Sequence, residues 1–190
     1  MGTLRVHANC LTKCWKETGF HGMQLLDGIL NMERDGISWN AIIGRYTQHG
    51  YEKEALTLFG KMRSESVKLS KFTFGSILQA CASLQVVEHG RQIHSHAIKF
   101  GFQGEFFTAS SVVDMYSKCK RTGDARQMFE KMPERNLVSW NAMIPGYSQN
   151  GCSGETVKLF REMYCEETRP AGSIFACVLS ACARSKCTRT

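Results

Sequence analysis

Residues 36–62 read GISWNAIIGRYTQHGYEKEALTLFGKM, and residues 137–163 read LVSWNAMIPGYSQNGCSGETVKLFREM. The two stretches share most of their apolar positions and the tetrapeptide Ser-Trp-Asn-Ala, which stands at 38–41 and again at 139–142, an offset of 101 residues. A second pair has the same offset, because residues 74–82 match residues 175–183 at Phe, Leu and the run Ala-Cys-Ala. Self-similarity at a fixed spacing predicts a repeat architecture.

The offset of 101 residues divides into smaller units. Two units of 35 residues, 36–70 and 71–105, are followed by one of 31 residues, 106–136. The same lengths extended in both directions predict a degenerate short unit at 5–35, a unit at 137–171 and an incomplete one at 172–190, after a stub at 1–4. We number these units one to six in chain order.

Each unit contains two amphipathic segments with apolar residues at helical spacing. In unit two they are Trp39, Ile42, Ile43 and Tyr46, then Ala55, Leu58, Phe59 and Met62. We expect breaks between the segments at His49-Gly50, Asn150-Gly151 and Thr122-Gly123, since glycine is common just after a helix. One helical hairpin cannot bury both of its faces, so neighbouring units must stack. The predicted fold is therefore an all-α solenoid of tandem helix-turn-helix hairpins, about eleven helices in all.

Composition limits the classes of partner. Twenty-four Lys and Arg against 17 Asp and Glu give a formal charge of +7, which favours an anionic partner such as nucleic acid. No apolar run approaches the roughly 20 residues that cross a bilayer, so no membrane partner is expected. The nine cysteines are odd in number and irregularly spaced, which predicts free thiols in a reducing compartment. Neither a secretory signal nor a transit peptide is visible at residues 1–10.

The sequence offers little chemistry of its own. His94 and His96 fall on different sides of a helix, and Cys10 and Cys14 lack two further ligands, so no metal site is expected. The H-x-E and C-x-x-C motifs of zinc deaminases and glycine-rich phosphate loops are missing from the sequence. We therefore expect no enzyme activity, no cofactor and no small-molecule substrate. Trp39 and Trp140 are in phase with apolar neighbours and are predicted to lie in the core.

Three segments resemble the repeats of one family, the pentatricopeptide repeat proteins of plant organelles. SWNAIIGRYTQHGYEKEALTLFGKM is similar to its standard repeat, FTFGSILQACASLQVVEHGRQIHSHAIKFGF to its long variant, and SSVVDMYSKCKRTGDARQMFEKMPERN to its short variant. The order of lengths resembles the plant subclass with mixed repeats, here apparently truncated, and the resemblance covers residues 5–190. It implies a right-handed superhelix that binds single-stranded RNA in its concave groove, about one base per repeat.

The resemblance also implies which residues contact RNA. The fifth and last residues of a unit recognise one base, and the second residue packs between successive bases. The resulting pairs are Asn9 with Asp35, Asn40 with Ser70, Gly75 with Glu105, Ser110 with Asn136, and Asn141 with Ala171, followed by Ala176 alone. The second residues are Val6, Ile37, Phe72, Phe107 and Val138. The family's code then favours U, C, no defined base, A and a pyrimidine, or 5′-U-C-N-A-Y-3′.

The family's roles are processing, stabilisation or C-to-U editing of transcripts in the mitochondrion or chloroplast. This chain would act there as a specificity factor, and RNA-processing or editing proteins would supply any chemistry in trans. Two other interpretations stay open at this point. One is a protein-binding helical array similar to tetratricopeptide repeats, although their constant period of 34 residues differs from the rhythm here. The other is a non-functional fragment of a longer repeat protein.

Overall fold

The computed structural model describes residues 35–187, in which nine α-helices follow one another. They are α1 Gly36–Gln48, α2 Glu52–Ser64, α3 Lys71–Leu84, α4 Val87–Lys99, α5 Phe106–Lys118, α6 Thr122–Glu130, α7 Leu137–Gln149, α8 Ser153–Cys165 and α9 Gly172–Cys187. A short 3₁₀ helix at Phe102–Gly104 precedes α5. The all-α repeat fold predicted from the sequence is confirmed. The two helices expected in unit one lie outside the described residues, which include only its last residue, Asp35.

The helices form two layers. The odd-numbered helices α1, α3, α5, α7 and α9 are the first helices of their units, and each contacts the next one in the row. Each even-numbered helix packs against its own first helix and against the first helix of the following unit. The first helices therefore build a continuous inner row, and the second helices cover one side of it.

The hydrophobic core lies between the two layers and continues from unit to unit. Trp39 is 1% exposed and Trp140 is fully buried, so the prediction that both tryptophans fill the core is confirmed. The Trp140 ring meets Phe129 of α6 edge-to-face, with centroids 4.6 Å apart. Such a pair adds to the stabilisation from burial alone, and it joins unit four to unit five.

The first helices begin at residues 36, 71, 106, 137 and 172, the first residues of the units defined above. Three of them are capped by the side chain of the preceding residue, which is the last residue of the unit before. Asp35 Oδ1 accepts from the Ser38 amide at 2.8 Å, and Ser70 and Asn136 each form a capping box with the residue three further on. Side-chain caps of this type satisfy amides that have no partner within the helix.

The turn between the two helices of a unit has one left-handed residue, always the fifteenth. It is Gly50 in unit two and Gly151 in unit five, with φ of 80° and 78°. Units three and four place Gln85 and Lys120 there, with φ of 55° and 61°. The breaks expected at Gly50 and Gly151 are therefore confirmed.

The break expected at Thr122-Gly123 is wrong. Helix α6 already begins at Thr122, and Gly123 lies in its first turn. The left-handed turn falls instead at Lys120, because the hairpin geometry fixes the position of the turn whichever residue occupies it. Within residues 35–187, no helix is long and apolar enough to cross a membrane.

Candidate nucleic-acid interface

A groove of about 460 Å³ runs across the inner row of helices. Its walls come from α1, α3, α5 and α7, and from no second helix of a unit. They include the fifth residues of units three to five and the second residues of units four and five, and the full lining is Gly44, Gln48, Gly75, Ser76, Gln79, Phe106, Phe107, Ser110, Ser111, Asp114, Val138, Asn141 and Ala142. The fold thus places corresponding residues of successive units along one surface.

The second residues of units two to five are apolar and yet exposed. Ile37 is 68% exposed, Phe72 57%, Phe107 45% and Val138 55%. Apolar side chains at these first-turn positions do not contribute to the core, which the residues at positions four, seven and eight of the same helices fill. A regular series of exposed apolar groups suggests a binding surface.

The fifth and last residues of unit two are in direct contact. The Asn40 amide donates from Nδ2 to Ser70 Oγ at 2.9 Å, across 30 residues of sequence. Thr73, the third residue of unit three, donates its hydroxyl to Asn40 Oδ1 in a short hydrogen bond. Because both ends of the amide are held, its orientation is fixed, and the residue remains partly exposed.

In unit four the two residues are engaged elsewhere. Ser110 is only 4% exposed, and its hydroxyl donates to the Phe106 carbonyl at 3.0 Å. Asn136 Oδ1 accepts from the amides of Val138 and Ser139 at 2.9 and 3.2 Å, which caps α7. Asn136 is half-buried, so the last residue of this unit combines a structural role with a position beside the groove.

Unit five differs from unit two although the two sequences are alike. Asn141 corresponds to Asn40, but its Oδ1 is buried without a hydrogen-bond partner among the described residues. Its last residue, Ala171, has no side-chain group that could take the place of Ser70. Ile174, which stands where Thr73 stands in the earlier pair, is fully buried and carries no hydroxyl that could donate to the Asn141 amide. The amide oxygen of Asn141 therefore keeps an unsatisfied hydrogen-bonding capacity.

Unit three has no fifth side chain, because Gly75 occupies the position. Its last residue, Glu105, makes an ion pair with Lys71 at 3.1 Å and does not cap α5. Of the predicted contact residues in unit one, Val6 and Asn9 lie outside the described residues. The role of Thr73 was not predicted from the sequence, although a series of hydroxyls at the third position of units two to five could have revealed it: Ser38, Thr73, Thr108 and Ser139.

The structure offers few groups for catalysis. Residues 35–187 contain no cluster of three His, Cys, Asp or Glu side chains that could hold a metal ion. Six cysteines are free thiols: Cys81, Cys119, Cys152, Cys165, Cys177 and Cys182. Burial raises the pKa of the Cys81 thiol to about 12, with a smaller effect of the neighbouring Cys119. A thiol with so high a pKa is a poor nucleophile at neutral pH, and Cys81 behaves as a small apolar core residue.

Comparison with known sequences assigns the family. Residues 34–83 match the PPR repeat family, and residues 107–137 and 138–166 each match a PPR repeat. This chain belongs to the pentatricopeptide repeat family. A pentatricopeptide repeat-containing protein of Arabidopsis thaliana is 39% identical over 167 residues, which is 88% of this chain and 29% of the relative.

Two further Arabidopsis pentatricopeptide repeat relatives carry organelle names. One, named chloroplastic, is 38% identical over 153 residues, covering 80% of this chain and 22% of the relative. The other, named mitochondrial, is 40% identical over 147 residues, covering 77% and 16%. The chain thus spans less than a third of the length of these curated relatives.

Solved pentatricopeptide repeat structures have the same fold. The protein PPR10 in complex with an 18-nt psaJ RNA element matches with a TM-score of 0.72 and 15% identity, over 88% of this chain and 26% of PPR10. The PPR domain of Arabidopsis protein-only RNase P 1, in complex with tRNA, matches with a TM-score of 0.63 and 19% identity, over 77% and 80%. At these identities the likeness shows the pentatricopeptide repeat solenoid itself.

Proposed function

We propose that this pentatricopeptide repeat chain binds single-stranded RNA along the inner row of helices and recognises about one base per unit. The observation that carries the proposal is the alternation along the inner row of exposed apolar second residues with the polar fifth residues of units two, four and five. Apolar and aromatic faces stack on bases of any identity, whereas an oriented amide presents a donor and an acceptor to a base edge. Stacking and edge recognition are the two means by which unpaired RNA is bound.

The contact between Asn40 and Ser70 supports recognition by pairs of residues. A hydrogen bond of 2.9 Å joins the fifth and last residues of one unit, so a change in the last residue alters the hydrogen bonding of the amide beside it. A pair of this kind can select a base jointly. The crystal structures of relatives bound to RNA and to tRNA support the same class of ligand.

The names of the relatives support a role in an organelle. Chloroplastic and mitochondrial names among them support an organellar location, where the chain would act as a specificity factor in RNA processing, modification or C-to-U editing. The groove is lined by amides, hydroxyls, apolar groups and one carboxylate, Asp114, which is paired with Lys118 at 2.8 Å. Since this lining holds no nucleophile paired with a base, proteins bound in trans would supply the chemistry.

Binding of short RNAs tests the proposal. An oligonucleotide containing UCNAY should bind more tightly than its complement in a fluorescence anisotropy titration at low salt. Equal affinity for the two RNAs would contradict recognition by base. No binding of either, with capture of a peptide instead, would favour the protein-binding scaffold.

The substitution Ser70→Asp tests recognition by the pair in unit two. Aspartate is also a good N-cap, so α3 should keep its stability. The preference at the second base should shift from C toward U by roughly tenfold, about 1.4 kcal/mol, while the best affinity changes little. Ser66→Asp, in the exposed turn after α2, is the matched control. An unchanged preference in Ser70→Asp would show that this pair does not select the base.

A further inference from the structure

The third unit lacks a fifth side chain, and an aromatic ring fills the space. A Cβ atom added to Gly75 would lie 2.9 Å from Cδ1 of Phe107 and closer still to its Cε1. Real Cβ atoms do not approach other heavy atoms so closely. Phe107, the second residue of unit four, therefore occupies the volume in which a fifth side chain would stand.

The hydrogen-bond partner for such a side chain is nevertheless present. In unit two, the Thr73 hydroxyl donates to the Asn40 amide. Thr108 holds the corresponding place relative to Gly75, and its buried Oγ1 has no hydrogen-bond partner within residues 35–187. A buried hydroxyl without a partner costs free energy. Unit three thus keeps the hydroxyl donor of such an arrangement but lacks the amide that would accept from it.

The two aromatic second residues contact each other in consequence. The rings of Phe72 and Phe107 have centroids 5.8 Å apart and are inclined by 57°. The two rings are not parallel, and the space between them is too narrow for a base. Both rings are about half exposed, so their outer faces remain open to a ligand.

The last residue of unit three is also occupied. Glu105 is held by Lys71 at 3.1 Å, and the same ammonium lies 5.9 Å from the centroid of the Phe72 ring. A cation near an aromatic face is attracted to it. Lys71 therefore ties the carboxylate to the aromatic pair, and neither recognition position of unit three presents a free polar group to a base edge.

We propose that Phe72 and Phe107 form one stacking platform that binds an unpaired nucleobase of any identity, so that unit three binds RNA without selecting its base. The proposal rests on RNA binding by this groove and specifies what happens between the pairs Asn40–Ser70 and Ser110–Asn136. The strand crosses unit three on aromatic surface alone. The position N in UCNAY is thus a site of affinity, although not of specificity.

Four RNAs that differ only at N test the base tolerance. Their dissociation constants for the 190-residue chain should agree within about twofold, while a change of the second or fourth base weakens binding. A clear preference at N would overturn the proposal and leave RNA binding intact. If none of the four RNAs bound more tightly than its own shuffled form, the proposed function itself would be contradicted.

Removal of each ring tests the platform. Phe72→Ala and Phe107→Ala should each weaken binding on the order of tenfold, and equally for all four bases at N, since stacking on a ring tolerates every base. Phe100→Ala is the matched control, because Phe100 is 56% exposed and lies after α4, away from the groove. The proposed platform would be wrong if Phe72→Ala left the affinity for RNA unchanged or weakened binding for one base only.

A gain of specificity tests the role of Phe107 independently of lost affinity. In a triple substitution, Gly75→Asn and Glu105→Ser would copy the pair of unit two, and Phe107→Val would clear the space for the new amide, which would give the Thr108 hydroxyl an acceptor. Circular dichroism checks that the helices are retained. The four affinities should then separate by roughly tenfold in favour of C at N. A folded triple variant that still tolerates every base would show that Phe107 is not what prevents recognition in unit three.

Discussion

The last residue of a unit has two tasks, and the structure shows the first of them directly. Asp35, Ser70 and Asn136 accept hydrogen bonds from the first turn of the following helix. The second task, contact with a base, is the one proposed above. Residues with a short side-chain acceptor satisfy both demands at once, which limits the variation that a recognition position can tolerate. Glu105 caps nothing, and it belongs to the unit for which no base preference is expected.

The capping role of Asn136 predicts a loss of stability without a change of fold. Asn136→Ala removes the acceptor of the Val138 and Ser139 amides, and the expected cost is about 1 kcal/mol of unfolding free energy. Urea denaturation followed by circular dichroism measures it. Asn136→Asp keeps the cap and is the control. If both variants were equally stable, the hydrogen bonds to Asn136 would contribute nothing to folding.

His94 predicts a dependence of stability on pH. Burial first, and the charge of Lys131 second, lower the pKa of His94 below its usual value of 6.5. Its Nδ1 lies 3.2 Å from the Tyr116 hydroxyl. The unfolded chain therefore binds a proton more readily than the folded one, and stability falls as the pH drops through about 6.5.

The pH effect can be separated from that of other groups. The midpoint of urea denaturation should fall between pH 7.5 and pH 5.5, and His94→Gln should reduce that difference. His89→Gln, at an exposed position on the same helix, is the matched control. An identical pH dependence in wild type and His94→Gln would refute the assignment to His94.

At the scale of elements, the hairpin turn is the invariant feature. The fifteenth residue is left-handed in units two to five, yet only two of the four are glycine. A non-glycine residue in this conformation costs roughly 1 kcal/mol. Stacking of the units therefore imposes the turn, and the sequence accommodates it with or without the favoured residue.

Substitution at the fifteenth residue should change stability in opposite directions. Gly50→Ala places a Cβ in the left-handed region, and the expected loss is about 1 kcal/mol although the space around Gly50 is open. Lys120→Gly removes the strain of the same conformation and should raise stability. The greater conformational entropy of glycine in the unfolded chain offsets part of this gain. Thermal melts measure both. Equal destabilisation by the two changes would mean that φ does not control the turn.

The elements show how far the sequence determines this structure. The starts of the first helices follow from the repeat register, because Asp35, Ser70 and Asn136 are strong caps at the expected places. The turn at Lys120 could not be located by searching for glycine. The sequence shows that Gly75 has no side chain. It does not show that Phe107 contacts Gly75, because that contact depends on the direction of one ring across a unit boundary.

At the scale of the whole molecule, the helices of residues 35–187 pack mainly within a unit and between neighbouring units. Each first helix contacts the next first helix in the row, and ion pairs connect successive second helices: Arg91 to Asp124 at 3.4 Å and Arg126 to Glu162 at 3.0 Å. Exposed pairs of this type contribute little each. The continuous core carries the stability, and a chain built this way behaves as a one-dimensional array in which damage stays local.

Ile43 and Ile144 allow that locality to be measured. They are equivalent residues of units two and five, and both are fully buried. Ile43→Ala should cost about 2–5 kcal/mol and remove hydrogen-exchange protection mainly from α1–α3, whereas Ile144→Ala should remove it mainly from α6–α9. Each variant is the control for the other. If both variants lost protection uniformly along the chain, the units would unfold as one cooperative body. The parts of the groove could then not respond independently to RNA.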